Sequence, residues 1–232
     1  TLPEPTGPTP TLAPPQPTTS TPTAPPTSSP PSWRRDAVTG PEARYGHGLV
    51  YDSLRALLVL FGGDSTGTAR LSDTWVLSPG AGWVLRSPAA SPPGRTNIPQ
   101  GMAFDARRGV TVLFGGLAGD YLNDTWVFNG TTWAEVQSSQ RPSPRDHHAM
   151  VYDARREVVV LFGGCPSPTE RLGDTWEFDG AEWRRRDDVG GPSARCGHSM
   201  TYDPNRGVTV LFGGDAAGVL MNETWEYDGT VW

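Results

Sequence analysis

Residues Thr111–Gly116 read TVLFGG, and the triplet Asp124-Thr125-Trp126 follows them. The same pattern of an apolar run, a Gly pair and an acidic-Thr-Trp triplet occurs four times. The Gly pairs are Gly62 and Gly63, Gly115 and Gly116, Gly163 and Gly164, and Gly213 and Gly214, and the Trp residues are Trp75, Trp126, Trp176 and Trp225. Self-similarity at a period of about fifty residues is typical of stacked or radial arrays of small structural units. We therefore expect a repeat fold.

Each repeat contains four short segments with strand character. An opening Arg precedes an apolar strand that ends in an aromatic residue and an Asp, and a second Arg follows that Asp by three residues. This spacing predicts a hairpin whose tight turn is capped by the Asp side chain. The second strand, such as Val110–Phe114, is almost continuously apolar, which is typical of an inner strand buried on both faces. Its Gly pair predicts positive φ angles and a close backbone approach.

The third strand carries the Trp of the triplet, and a second Trp follows after a turn. That turn contains Asn129-Gly130, Asp179-Gly180 or Asp228-Gly229, dipeptides that favour a two-residue type I′ hairpin. In the first repeat the longer sequence Pro79–Gly82 stands there, so its turn is expected to differ.

Four strands per repeat, with a Gly pair and two spaced Trp residues, resemble the kelch repeat, whose units form the blades of a β-propeller. The resemblance covers residues 33–232 and implies an all-β kelch-type β-propeller with four recognisable four-stranded blades, in units of approximately 33–82, 83–132, 133–182 and 183–232. Trp33 stands where the second Trp of a preceding unit would stand, and Trp232 is expected to begin a fourth strand. We therefore expect these blades to be an arc of a larger ring, with further units downstream.

Residues 1–32 differ in composition from the repeats. They contain twelve Pro, nine Thr and four Ser, with Glu4 as the only charged residue. Because Pro removes backbone donors and so little apolar surface cannot offset the entropy lost on folding, we expect a disordered linker. A Thr/Pro/Ser-rich linker before a β-domain fits an exported protein, which predicts an extracellular or cell-surface location.

Composition argues against several functions. The net charge is −6, and all nineteen basic residues are Arg. An acidic chain without a basic stripe is not expected to bind nucleic acid, and a chain without Lys cannot form a lysine Schiff base. The sequence contains no run of about eighteen apolar residues, so no membrane span is predicted in it.

Most His residues follow the repeat. His47, His148 and His198 each lie three residues after an opening Arg, and Ile98 occupies that position in the second repeat. A residue type repeated around a pseudo-symmetric ring favours packing over catalysis, and only His147 departs from the pattern. We therefore predict no catalytic residue, metal or cofactor. The alternative is a secreted carbohydrate-active or copper radical oxidase of the galactose oxidase type, with its key residues in missing blades.

Loops that vary between repeats are the predicted binding surface. They join the second and third strands, and chain alternation places them on the same face of the ring as the connections that lead into each blade. The predicted binding residues are Tyr45, Asp64, Arg70, Asp120, Tyr121, Glu170, Arg171 and Asp215. We expect a non-catalytic scaffold module that recognises a protein or a glycan through this face. The alternative for these side chains is ordinary solvated loop chemistry.

The two Cys residues fall in these connections. Cys165 follows a Gly pair and Cys196 follows an opening Arg, so both are expected on the same face of adjacent blades. An even number of Cys in a chain expected to be exported is compatible with a disulfide, and two free thiols are the equal alternative.

Clustered Arg residues follow the second Trp of a repeat. They are Arg184, Arg185 and Arg186, together with Arg34 and Arg35. This position predicts an outermost strand, where charge discourages edge-to-edge pairing, and an anion-binding cluster is the alternative.

Overall fold

The structure, a computed structural model, describes residues 39–67, 69–187 and 190–232. The predicted linker at residues 1–32 lies outside these residues, as do Trp33, Arg34 and Arg35. The described residues belong to a unit that spans Val38–Trp232, and every regular element assigned in them is a β-strand. The all-β prediction is therefore confirmed.

Four consecutive antiparallel sheets form the blades of a β-propeller. Blade 1 contains β1 Gly48–Asp52, β2 Leu57–Phe61, β3 Thr74–Ser78 and β4 Gly82–Arg86. Blade 2 contains β5 Met102–Asp105, β6 Val110–Phe114, β7 Thr125–Phe128 and β8 Trp133–Val136. Blade 3 contains β9 Ala149–Asp153, β10 Val158–Gly164, β11 Leu172–Phe178 and β12 Trp183–Arg186. Blade 4 contains β13 Ser199–Asp203, β14 Val208–Phe212 and β17 Thr224–Tyr227, with a small hairpin of β15 Asp215–Ala216 and β16 Val219–Leu220.

Strand order within each blade follows the chain. Blades 1 to 3 have four strands each, and blade 4 has three within the described residues. The first strand of each blade contacts the first strand of the next, β1 with β5, β5 with β9 and β9 with β13, so these strands lie nearest the hub. The Arg-rich strand β12 is the outermost strand of blade 3, as the sequence predicted.

The first turn of each blade is built around its Asp side chain. In blade 2, Oδ1 of Asp105 accepts hydrogen bonds from the N–H groups of Arg107 and Arg108, both at 3.0 Å. Oδ2 of the same carboxylate accepts a bond from the Arg108 guanidinium at 2.7 Å. The same pair of backbone hydrogen bonds is accepted by Asp52, Asp153 and Asp203. The carboxylate therefore fixes the predicted hairpin.

The turn between the third and fourth strands differs from the prediction. Phe128 pairs with Trp133, which leaves a four-residue loop where a two-residue loop was predicted. A type I′ turn needs positive φ at both central residues, but Gly130 has φ +97° and Asn129 does not have a positive φ. Instead, the Asn129 side chain caps the wider loop by accepting hydrogen bonds from two following N–H groups, both at 3.0 Å. The type I′ prediction was therefore wrong, and the equivalent loops are capped by Asp179 and Asp228.

A buried ion-pair network joins the repeated residues of each blade. In blade 3, the Arg145 guanidinium donates to both carboxylate oxygens of Asp174, at 2.6 and 2.9 Å, and to the Gly163 carbonyl oxygen at 2.9 Å. The same carboxylate accepts a bond from the indole N–H of Trp176 at 2.7 Å. Equivalent sets are Arg44, Gly62, Asp73 and Trp75; Arg95, Gly115, Asp124 and Trp126; and Arg195, Gly213, Glu223 and Trp225. The repeated sequence pattern is thus one structural unit.

This network controls the charge of its carboxylate. Burial raises the pKa of Asp174, but the hydrogen bonds from Arg145 and Trp176 outweigh that effect and hold the pKa below its ordinary value of 3.8. The carboxylate therefore stays ionised beside its guanidinium partner, whose side chain is fully buried.

The Gly pair lies where two blades approach most closely. In blade 2, Gly115 and Gly116 have φ of +60° and +100°. The Gly116 N–H donates to the carbonyl oxygen of Arg145 in the next blade at 2.9 Å. A Cβ atom on Gly115 would lie 2.7 Å from that same oxygen, which is closer than van der Waals contact allows. Both the backbone angle and the close contact therefore require Gly.

Three apolar clusters lie between successive blades and hold the arc together. The cluster between blades 1 and 2 contains Phe61 and Met102, and the indole N–H of Trp133 donates to Oγ1 of Thr74 in the preceding blade at 2.9 Å. Corresponding clusters contain Phe114 and Met150, and Phe162 and Met200. Because the buried apolar surface of each blade is supplied partly by its neighbour, stability is shared along the repeats.

Candidate functional site

Short backbone bridges surround the hub on one face of the arc. In each blade, the residue after the opening Arg and the residue after the Gly pair donate hydrogen bonds to each other's carbonyl oxygens. The pairs are Tyr45 with Asp64, Thr96 with Leu117, Asp146 with Cys165, and Cys196 with Asp215. The two kinds of connection therefore meet on one face, as predicted. We call this surface the loop face, defined by residues 45–47, 64–67, 69–71, 96–98, 117–122, 146–148, 165–172, 196–198 and 215–220.

Left-handed residues form a row around the hub on this face. The residue two places after the opening Arg has φ +64° at Gly46, +60° at Asn97, +49° at His147 and +65° at Gly197. The His147 N–H donates to the Asn97 carbonyl oxygen at 3.1 Å, and the Gly197 N–H donates to the His147 carbonyl oxygen at 2.9 Å. Gly adopts this conformation without strain and Asn tolerates it, whereas another side chain there costs about 1–2 kcal/mol. His147 is therefore the strained member.

The next residue in each blade packs beneath this row. His148 contacts Phe114 edge-on and His198 contacts Phe162 edge-on, each with ring centroids 5.5 Å apart. Burial lowers the pKa of His148 well below its ordinary value of 6.5. Burial, followed by the neighbouring opening Arg, lowers the pKa of His198 to about 4. Ile98 is buried at this position in blade 2, so the imidazoles, neutral near pH 7, act as packing groups.

A cavity of about 370 Å³ opens on the loop face among blades 2, 3 and 4. Its polar lining residues include Tyr121, Asp146, His147, Arg171 and Asp215. Three of the predicted binding residues therefore meet at one place, together with Asn97, Asp146 and His147, which lie outside the predicted set. Concave sites with a few convergent polar groups are where proteins commonly bind ligands.

The Asp146 carboxylate contacts His147 within this cavity. Asp146 is 3% exposed, and its Oδ2 accepts a hydrogen bond from the Asn97 side-chain amide at 2.8 Å. Its Oδ1 lies 3.0 Å from Nδ1 of His147, whose side chain is 42% exposed. This distance places the imidazole against the buried carboxylate. His147 therefore brings a polar ring, in contact with a buried charged group, to the lining of the cavity.

Two further groups set the charge of the cavity. Nε of Arg171 in blade 3 donates to Oδ2 of Asp215 in blade 4 at 3.0 Å, and a second guanidinium N–H contacts the same oxygen. This hydrogen bond from Arg171 lowers the pKa of Asp215. Burial, followed by the charge of Asp146, raises the pKa of Tyr121, so its phenol remains a hydrogen-bond donor at neutral pH.

Cys165 and Cys196 are joined as a disulfide, with their Cα atoms 5.7 Å apart. The bond connects the loop face of blade 3 to that of blade 4, and both sulfur-bearing residues line the cavity. A covalent link at this point limits relative movement of the two blades that supply most of the cavity wall.

The remaining predicted binding residues lie outside the cavity. Asp64 is fully buried, accepts hydrogen bonds from two N–H groups of its own loop, and pairs with Arg70. Tyr45 is exposed, and Asp120 and Glu170 are exposed at loop tips. Asp64 and Arg70 thus hold the blade 1 loop in shape, while the other three remain available at the rim of the face.

Sequence reasoning did not select Asn97, Asp146 or His147 as site residues. Asp146 and Asn97 stand at repeat positions whose residue type changes from blade to blade, and only the three-dimensional bridge between their side chains reveals a shared role. A signal was present for His147, the one His outside the repeated pattern, because it occupies a position where two other repeats carry Gly.

Within residues 39–67, 69–187 and 190–232, no group of three or more His, Cys, Asp and Glu side chains is placed to hold a metal ion. In the same part of the chain, no helix is long and apolar enough to cross a bilayer.

Comparison with known proteins points to one family of repeats. Residues 131–232 match the family model described as the KLHDC2/KLHL20/DRC7 Kelch-repeats domain. A similar protein is an F-box/kelch-repeat protein from Arabidopsis thaliana, 31% identical over 135 residues, which are 51% of this chain and 27% of the relative. The chain therefore corresponds to about a quarter of the length of that relative.

Proposed function

We propose, from the premise that this chain is a kelch-repeat β-propeller, that its loop face binds a partner protein and that the cavity among blades 2, 3 and 4 holds a segment of that partner. Kelch-repeat propellers are protein-binding modules, which supports the general class of function. The observation that carries the proposal is the left-handed His147, whose Nδ1 lies 3.0 Å from the buried carboxylate of Asp146. Strain at a position where Gly would fit without it is typical of functional sites.

Charge on the loop face favours a basic segment. The loop face has five acidic and two basic residues. The acidic residues are Asp64, Asp120, Asp146, Glu170 and Asp215, and the basic residues are Arg70 and Arg171. Asp64 pairs with Arg70 and Asp215 pairs with Arg171. The other three carboxylates therefore give the loop face its net negative charge. Electrostatic complementarity therefore selects a partner segment that carries Arg or Lys and hydrogen-bond donors.

Selection from a phage-displayed random peptide library tests this function. We expect peptides rich in Arg or Lys to be enriched on the wild-type protein. Asp146→Asn keeps the side-chain shape but removes a charge, and it should weaken binding of the enriched peptides at least about tenfold, which is about 1.4 kcal/mol. Arg184→Ala on the exposed strand β12 is the matched control and should bind like the wild type.

Two outcomes of this experiment would count against a peptide site. Peptides that bind Asp146→Asn as tightly as the wild type would place the site elsewhere. No enriched peptide, together with binding on a glycan array that is lost in Asp146→Asn, would replace the protein partner by a glycan.

The location proposed for the protein is extracellular or at the cell surface. Disulfides persist in oxidising compartments, and Cys165 and Cys196 are bonded in the structure. The Thr, Pro and Ser composition of residues 1–32 gives independent support. Titration of free thiols in the unreduced native protein should find none, whereas two reactive thiols would remove the main support for this location.

A further inference from the structure

The loop between the third and fourth strands of blade 2 carries Asn129-Gly130, the one Asn-Gly dipeptide in the sequence. In such a pair the backbone nitrogen of Gly can attack the side-chain carbonyl carbon of Asn, because Gly has no Cβ atom to crowd the attack. Every other Asn precedes a residue with a larger side chain, and these are Asn97, Asn123, Asn205 and Asn222. The sequence therefore sets Asn129 apart from the others.

Hydrogen-bond donors of the loop converge on the oxygen of the Asn129 side-chain amide. Oδ1 accepts bonds from the N–H groups of Thr131 and Thr132, both at 3.0 Å, and from the Thr131 hydroxyl at 2.8 Å. Donors aimed at a carbonyl oxygen stabilise the negative charge that develops there when a nucleophile adds to its carbon. The cap that fixes this loop therefore also favours attack on the Asn129 side chain.

The groups that would react are not engaged elsewhere. Within residues 39–67, 69–187 and 190–232, neither the side-chain N–H groups of Asn129 nor the N–H of Gly130 donates a hydrogen bond to a protein group. Asn129 is also exposed, so water has access to its side chain. The nucleophile is therefore free to add, and the amide nitrogen is free to leave.

The neighbouring blades carry, at the same position, the residue that this reaction would produce. Asp179 in blade 3 and Asp228 in blade 4 each cap their loop by accepting two backbone hydrogen bonds, at distances from 2.7 to 3.1 Å. In blade 2, the Arg55 guanidinium donates to the main-chain carbonyl oxygen of Asn129 at 2.7 Å. A carboxylate at residue 129 would therefore keep the cap and gain a cationic neighbour.

We propose that Asn129 is a modification site at which the folded protein converts Asn to Asp without an enzyme. The Gly130 nitrogen gives its proton to water and bonds to Cγ of Asn129, the bond from Cγ to Nδ2 breaks, and Nδ2 takes up a proton and leaves as ammonia. Water then opens the cyclic imide by adding OH to a carbonyl carbon and H to the ring nitrogen. Opening at the main-chain carbonyl carbon gives isoaspartate, and opening at Cγ gives Asp. The sum is one water consumed and one ammonia released, with no oxidation or reduction.

Incubation of the folded full chain in heavy-oxygen water at mildly alkaline pH tests the proposal. The water that opens the imide leaves its oxygen in the product, so mass spectrometry of peptides made in ordinary water separates this reaction from conversion during digestion. Asn205 is the internal control, because it is also exposed but precedes Arg206. Label should accumulate at residue 129 at least about tenfold faster than at Asn205, because only Asn129 precedes Gly. Equal rates would overturn the proposal.

A Thr131→Val variant tests whether the folded loop promotes the reaction. Thr131 is exposed, and the change removes the hydroxyl that donates to Oδ1 while keeping the shape of the side chain. Conversion in the folded variant should be at least about threefold slower, the effect of one net hydrogen bond. Thr132→Val is the matched control, because the Thr132 hydroxyl donates to the Trp133 carbonyl oxygen instead, and it should convert like the wild type.

The same variants in urea separate the loop from the local sequence. All three chains should convert at the same rate when unfolded, because the cap is then absent. Equal rates in the folded wild type and the folded Thr131→Val chain would overturn the role proposed for the cap.

The Asn129→Asp variant tests whether the loop accepts the product. This chain should remain folded to the same urea concentration as the wild type or to a higher one, because Asp179 and Asp228 already cap equivalent loops. Unfolding at a clearly lower urea concentration would contradict the claim that the loop retains its structure after the conversion.

Discussion

The ion-pair network inside each blade and the row of residues around the hub follow opposite rules. Arg145 and Asp174 in blade 3 make the same bonds as Arg95 and Asp124 in blade 2, with distances that agree within about 0.2 Å. At the hub, by contrast, the left-handed position is occupied by Gly in two blades, by Asn in one and by His147 in one. Repetition therefore marks the residues that build the blades, whereas the residue type varies at this position of the hub.

The free-energy cost of a substitution explains why the network repeats and the left-handed hub position varies. A buried guanidinium or carboxylate without its partner is strongly unfavourable, so neither member of the network can change alone. The left-handed position tolerates several residues, and its occupant affects stability by only about 1–2 kcal/mol. Variation at the hub is therefore possible without loss of the fold, whereas variation in the network is not.

The largest effect is expected from breaking the network. Arg145→Met removes the guanidinium that pairs with the Asp174 carboxylate and donates to the Gly163 carbonyl oxygen, which should lower the free energy of unfolding by about 3–5 kcal/mol. Urea denaturation measures this difference. The matched control is Arg184→Met, an exposed side chain on the outermost strand, which should change stability by less than about 0.5 kcal/mol. Equal losses in the two variants would mean that the network does not hold the blade together.

The disulfide links a hub position of blade 3 to a hub position of blade 4. Its removal should have the next largest effect on the free energy of unfolding. It closes a loop between residues 31 apart in sequence. Replacing Cys165 and Cys196 together by Ala should lower the free energy of unfolding by about 3 kcal/mol, because the unfolded chain gains freedom. A reducing agent should destabilise the wild type by a similar amount and leave the double variant unchanged. A wild type that is insensitive to the reducing agent would contradict the pairing.

The buried His residues should make stability depend on pH. The pKa of His198 is about 4 in the folded protein and 6.5 in the unfolded chain, so the unfolded chain binds the proton first as pH falls. The free energy of unfolding that depends on neutral His198 is therefore fully present above pH 6.5, and it is lost as the pH falls from 6.5 to about 4. His198→Ile, which copies Ile98 of blade 2, should remove about 2–3 kcal/mol of this dependence. The same slope in urea titrations of both proteins would show that His198 is not its source.

The smallest effect on stability is expected at the hub. His147→Gly restores the residue of blades 1 and 4 at a left-handed position, so it should raise the free energy of unfolding by about 1 kcal/mol. Gly197→Ala is the contrasting change, since it adds a side chain in open space at the same left-handed position of blade 4 and should destabilise the protein. If His147→Gly destabilised the protein as much as Gly197→Ala, the strain attributed to His147 would be absent.

Sequence periodicity predicted the blades because it reports burial and backbone geometry that recur. The Asp-capped hairpins, the positive φ of the Gly pairs and the outermost position of Arg184 all follow from local spacing and were found in the structure. The loop around Asn129 was mispredicted, because the dipeptide favours a tight turn while the Trp of the next strand pairs with Phe128 and sets a wider loop. The strand register, set by the pairing of Phe128 with Trp133, therefore outweighed the turn preference of the Asn-Gly dipeptide.

The candidate site was only partly predictable for a related reason. Tyr121, Arg171 and Asp215 were selected as variable loop residues, and the cavity brings them together. The bridge from Asn97 to Asp146 spans two blades, and no spacing within one repeat encodes it. Contacts between blades depend on how sheets pack around the hub, which the repeat pattern alone does not specify.

The peptide affinity of the His147→Gly variant tests most directly the claim that His147, which departs from the repeat, serves recognition. The affinity of a peptide enriched on the wild-type loop face would be measured by calorimetry on both proteins at the same pH and salt concentration. We predict at least about a tenfold weaker affinity for the variant, because the imidazole beside Asp146 is lost from the cavity while the blades remain folded. An unchanged affinity in a folded variant would contradict this account of the hub.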